Sequence, residues 1–80
     1  MQRPEIFAKT SQLLTDYLRL QPGEVTETSH VVNDLGADSL AMVELGFKFM
    51  ESFHIGMLNP EGDNLIVGKL VDQIAGLLPA

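Results

Sequence analysis

The apolar residues of the first twenty positions recur at the spacing of one helix face. Ile6, Phe7, Leu13, Leu14, Tyr17, Leu18 and Leu20 share one side, while Lys9, Gln12, Asp16 and Arg19 fall off it. Pro4 suits a first helical position, where its missing N–H does no harm, and Gln21-Pro22-Gly23 stops the run. The pattern predicts a helix from Pro4 to Leu20. A second pattern, from Ser39 to Phe53, is apolar over a wide arc. Leu40, Val43, Phe47 and Met50 occupy one part of it, and Met42, Leu45, Phe49 and Phe53 the rest. Only Glu44, Lys48, Glu51 and Ser52 form a polar strip, so this helix is expected to pack against several neighbours as the central one. A third helix, from about Ile66 to Leu78, places Val67, Leu70, Val71, Ile74, Ala75 and Leu78 on one face, with Pro79 beyond.

The connection over residues 21–38 is long, and its apolar pegs Val25, Val31, Val32 and Leu35 predict a loop laid over a core. Long connections in compact domains are usually functional or disordered. Asn59-Pro60-Glu61-Gly62-Asp63-Asn64 offers a cap and a proline for one short helical turn, which Gly62 weakens. No alternating strand pattern, repeat or low-complexity segment is present. The expected fold is all-α: a small bundle of three to four helices with a long loop between the first and second, as one domain over residues 1–80.

Composition narrows the function. A chain of 80 residues builds a core that rarely supplies more than about 3–5 kcal/mol of net stability, with little material for a deep cleft. A carrier, adaptor or binding module therefore stands ahead of an enzyme. Cysteine is absent, which excludes disulfides and thiolate metal sites and fits the cytoplasm. No apolar run reaches the ~18 residues of a membrane span, and the start lacks a signal-peptide core, so no stable membrane insertion is expected. The net charge of −6 is uneven: residues 1–23 carry a balance of +1 and residues 24–80 a balance of −7. Nucleic acid is thereby disfavoured, since binding it requires cations that release phosphate counterions. Basic patches on proteins are better partners.

The chemistry concentrates in Asp34-Leu35-Gly36-Ala37-Asp38-Ser39-Leu40, just before the second helix. Leu35 is the expected anchor of the turn, and Gly36 allows a positive φ. Asp38 is a good N-cap, contributing about 1 kcal/mol relative to alanine. Leu40 is expected to face inward, leaving the Ser39 hydroxyl free at the first turn. A helix N-terminus favours an anion such as a phosphate ester on Ser39. Asp34 and Asp38 would repel that phosphate unless a divalent cation screened them.

This heptapeptide, with Val43-Glu44-Leu45 after it, resembles the prosthetic-group attachment site of acyl carrier proteins. The resemblance extends to Val25-Thr26, Val31-Val32, Phe53 and Val67, and so covers nearly the whole chain. It implies that Ser39 carries 4′-phosphopantetheine, covalently attached, with Asp38 as motif residue and helix cap. The arm's thiol would hold acyl groups as thioesters. The implied partners are a phosphopantetheinyl transferase and acyl-activating, condensing or acyl-transfer enzymes. Asp34, Asp38, Leu40, Glu44 and Glu51 are the partner-binding residues carried over. The chain itself would be a non-catalytic monomer, and Met1 with compact ends favours a freestanding carrier.

Several positions depart from the family pattern. Ala41 replaces the acid that often follows Asp-Ser-Leu, while Lys48, Met50 and Ser52 interrupt an acidic stretch. Asn59-Pro60-Glu61-Gly62 replaces a short acidic segment. These departures leave the arm untouched but open the pathway: fatty-acid synthesis, specialised lipid or polyketide synthesis, or a peptidyl or aminoacyl carrier of a nonribosomal route. An unmodified helical adaptor is the alternative from another class.

Other expectations concern single residues. Lys48, four residues after Glu44, is placed for an intrahelical pair, and suggests a partner with a different charge pattern. Gly46 inside the helix is explained by close approach of a neighbouring helix or, second, by room for an acyl chain. Met42 and Met50 are adaptable gap-fillers. His30, His54 and Ser39 do not read as a nucleophile with a base, because the nucleophile-elbow setting is missing. His54 instead suits a helix C-terminus. Residues 59–64 lack the spacing of a calcium loop.

Overall fold

The computed structural model describes residues 2–56 and 65–78. Among the described residues there are three helices: α1 (Arg3–Leu18), α2 (Ser39–Phe53) and α3 (Val67–Leu77). The architecture is the expected small all-α bundle with a long loop between α1 and α2. A possible helical turn at 59–64 and the position of Pro79 lie outside the described residues.

Helix α1 starts one residue before Pro4, which takes the second helical position. It ends at Leu18 instead of Leu20, because Arg19 turns left-handed (φ 57°, ψ 49°) and its N–H closes on the Thr15 carbonyl. Leu20 then folds back against the core. Ile6 and Leu14 are buried as the pattern implies, and so is Thr10 between them, which the apolar pattern does not show.

The core joins Ile6 and Leu14 to Leu45, Phe49 and Phe53 of α2 and to Val67, Leu70, Val71 and Ile74 of α3. Helix α1, not α2, is the element packed against both others. The expectation of a central α2 packed against several neighbours, with Leu40 inward, is corrected by exposure: Leu40 is 69%, Val43 56% and Phe47 61% accessible. The helix turns its Leu45–Phe49–Phe53 side inward. On α3, Ala75 lies exposed rather than on the core face.

The connection lies over the core as its pegs foretold. Val25, Val31 and Leu35 are buried, with Ala37 beside them, and Val32 is half-buried. Backbone bonds stitch it to the start of α3: Val31 N–H to the Leu65 carbonyl (2.8 Å), Val67 N–H to that of Ser29 (2.9 Å), and Gly68 N–H to that of Glu27 (2.8 Å). His30 and Ile66 form one antiparallel bridge, the only strand-like pairing among the described residues. Arg3 clamps the same seam. Its guanidinium meets Glu27 at 2.7 Å and Asp72 at 2.9 Å, and donates to the Gly68 carbonyl at 3.2 Å. Hydrogen bonding to Glu27 and Asp72 raises the Arg3 pKa, and the bond from Arg3 lowers that of Glu27.

Two glycines inside helices have opposite surroundings. A Cβ on Gly46 would meet nothing within 4 Å, which removes close helix approach as its explanation. A Cβ on Gly68 would stand 2.9 Å from the Glu27 carbonyl oxygen and 3.1 Å from its carboxylate. Gly46→Ala should therefore stabilise the fold by about 0.5–1 kcal/mol through helix propensity alone. Gly68→Ala should destabilise it by about 1–2 kcal/mol net, since overpacking against backbone exceeds the same propensity gain. Urea melts check both. Equal signs for the two variants would contradict this packing.

Candidate functional site

The turn that leads into α2 is built from local hydrogen bonds. The His30 N–H donates to Asp34 Oδ2 at 2.7 Å. In return, His30 Nδ1 accepts from the N–H groups of Val32 at 3.2 Å and Asn33 at 3.0 Å. The His30 carbonyl also accepts from Asp34 and Leu35, at 2.8 and 3.1 Å, closing a helical turn. His30 is thus a turn-capping residue, a role that spacing alone does not reveal. Asp34 is exposed, but its carboxylate helps hold the turn.

Leu35 anchors this turn at 7% exposure, and Gly36 adopts φ 82°. The Gly36 and Ala37 N–H groups bond the Val32 and Val31 carbonyls at 3.1 and 3.0 Å. Asp38 follows in extended conformation, with Oδ1 accepting from the Ala41 N–H at 2.7 Å as the N-cap of α2. Its main-chain carbonyl accepts from Met42 at 2.9 Å, starting the helix ladder. Ser39 is the first helical residue and is exposed. Leu40 stands beside it, exposed rather than inward, as corrected above.

The outer face of α2 divides lengthwise. Leu40, Val43 and Phe47 form an apolar flank. Glu44, Lys48 and Glu51 form a charged flank turned toward α1, all three exposed. The expected Glu44–Lys48 pair is absent among the described ion pairs. Instead, the Tyr17 hydroxyl of α1 donates to Glu44 Oε2, and Lys48 Nζ sits 5.7 Å from the Tyr17 ring centroid. The bond to Glu44 raises the Tyr17 pKa. Tyr17 intercepts both charges because α1 packs alongside, which helical angles within α2 cannot show. Leu13, Lys48, Glu51 and Ser52 line a shallow groove between the two helices.

At the far end of α2, His54 takes the left-handed C-cap position (φ 54°), with its N–H closing on Met50. By helix rise it lies about 20 Å from Ser39, so the two form no catalytic pair. The Lys9 amine, read as pointing off the α1 core face, reaches the Ser52 carbonyl at 2.7 Å and lies 5.0 Å from the Phe53 ring centroid. It thereby supplies a cation to the helix C-terminus. Met42 and Met50 pack half-buried against the core. Among the described residues, no cluster of three His, Cys, Asp or Glu could hold a metal, and no helix is long and apolar enough to cross a membrane.

This arrangement places the exposed Ser39 at the first turn of α2, beside the exposed Leu40, Val43 and Phe47. Asp38 already occupies the Ala41 N–H, so a phosphate on Ser39 would find one helix-start donor taken.

No protein-family model matches the chain. It is similar to the acyl carrier protein of Amoebophilus asiaticus, 37% identical over 71 residues that cover 88% of this chain and 89% of that protein. It is similar to the acyl carrier protein of Thermotoga maritima, 33% identical over 73 residues and 90% of each. It also resembles the mitochondrial acyl carrier protein of Neurospora crassa, 34% identical over 76 residues, 92% of this chain but 57% of that longer protein.

Proposed function

The chain belongs to the acyl carrier protein family, and on that premise we propose that it tethers acyl intermediates through 4′-phosphopantetheine on Ser39. The single observation that carries this reading is the exposed Ser39 at the first turn of α2, fixed by the Asp38 cap and the buried Leu35. In loading, Ser39 Oγ would form a bond to the phosphorus that carries the pantetheine arm in coenzyme A. The bond from that phosphorus to the adenosine 3′,5′-bisphosphate portion breaks, and the serine proton passes to a base on the transferase. The attached arm supplies a thiol that holds an acyl group as a thioester.

The chain's own residues do the positioning. Asp38 keeps the helix start closed, Gly36 makes the turn, and the Asp34–His30 bonds hold the approach rigid. Asp34, Asp38, Leu40, Glu44 and Glu51 would meet a phosphopantetheinyl transferase and then acyl-activating, condensing or acyl-transfer enzymes. Acidic groups around an exposed hydroxyl suit enzymes with basic docking surfaces. The chain is a substrate of the transferase and performs no chemistry of its own in this scheme. Fatty-acid, polyketide or specialised lipid synthesis would use it, and the cytoplasm is the compartment this reading favours.

Intact mass spectrometry after incubation with coenzyme A and a phosphopantetheinyl transferase tests the proposal. One added arm is expected. A chain left unmodified by several such transferases would refute it.

A further inference from the structure

Resting on the carrier reading, we propose that Lys48 is a specificity-determining residue that turns away enzymes whose docking groove is basic throughout and selects one with a carboxylate facing it. The favoured partner is a protein with an apolar recess for Leu40, Val43 and Phe47 and an acidic group at the level of Lys48.

Four observations converge on this. Lys48 is the only cation in α2, set between Glu44 and Glu51 on an exposed flank. Among the described residues it forms no ion pair with Glu44, whose carboxylate accepts from Tyr17. The Tyr17 ring lies 5.7 Å from Lys48 Nζ, and attraction between a cation and an aromatic face holds that charge beside α1. Finally, Leu40, Val43 and Phe47 lie exposed on the neighbouring flank, so a partner that covers them brings its own side chains opposite Lys48.

The charge sequence met along the helix is therefore negative at Asp38 and Glu44, positive at Lys48, and negative again at Glu51. A groove of uninterrupted Lys and Arg would match three of these positions and oppose the fourth. Specificity of this kind combines attraction to the right partner with repulsion of the wrong one. Tyr17 is the positioning residue: its hydroxyl engages Glu44 and its ring keeps Lys48 in place.

The test uses the full chain loaded with the arm and a defined probe, a condensing enzyme whose docking groove is lined by Lys and Arg throughout. Lys48→Glu should bind that probe about three- to tenfold more tightly than the unsubstituted chain at low salt, the scale of reversing a rim charge. Lys48→Ala should fall between, and the differences should shrink at high salt. Placing a glutamate in the probe opposite residue 48 should reverse the order. Circular dichroism confirms that the variants stay folded. Equal or weaker binding of Lys48→Glu overturns the inference while leaving the carrier reading intact. Failure of the chain to accept the arm overturns both.

Discussion

Ser39→Ala should abolish attachment of the arm while leaving the fold and its melting curve nearly unchanged. The hydroxyl is the only group removed, and it lies exposed on the first turn of α2 with the cap supplied by its neighbour. Surface substitutions away from caps and core usually change stability by about 0.5 kcal/mol or less. Mass spectrometry should show no added arm under conditions that load the unsubstituted chain completely. Circular dichroism should superimpose the two proteins. The informative contrast is Asp38→Ala, which removes the acceptor 2.7 Å from the Ala41 N–H. That variant should lose about 1 kcal/mol of stability and still carry its nucleophile. Residual attachment in Ser39→Ala would place the tether elsewhere and sink the assignment.

Phe49→Ala should leave the chain largely unfolded, whereas Phe47→Ala, two residues away, should melt almost like the parent. Phe49 is 2% exposed at the junction of α2 with the core, and Phe47 is 61% exposed. Truncating a buried phenylalanine costs about 3–5 kcal/mol from lost burial plus the cavity left behind. A domain of this size holds about 3–5 kcal/mol in total, so the first loss consumes nearly all of it. The second removes a side chain that is mostly in solvent and should stay within about 0.5 kcal/mol. Urea titrations followed at 222 nm separate the two outcomes. Comparable losses at both positions would mean that the outer face of α2 is covered.

What could be read from the chain beforehand depended on how local the cause was. The start and end of α2, the Asp38 cap and the Gly36 turn follow from neighbouring residues, and the structure has them as expected. The pegs of the long connection were equally legible, since isolated apolar residues in a polar stretch have one use. The orientation of α2 was not. When almost every face is apolar, periodicity cannot choose which side is covered, and Leu40 fell on the open side. Gly46 and Gly68 look alike in sequence, but only placement against Glu27 tells them apart. Tyr17 and Lys9 act on residues of α2 from another helix, so their roles appear only after packing. The geometry of the Ser39 turn was legible because its cap, its glycine and its serine lie within one heptapeptide.

The stitching of the connection to the start of α3 sets an order in biosynthesis. The segment leading to Ser39 borrows backbone partners from Leu65, Val67 and Gly68, all made after it. A nascent chain that has reached α2 possesses the serine but not the frame that aims it. The loop before α2 therefore gains its full set of backbone partners only once the start of α3 has been made and has docked.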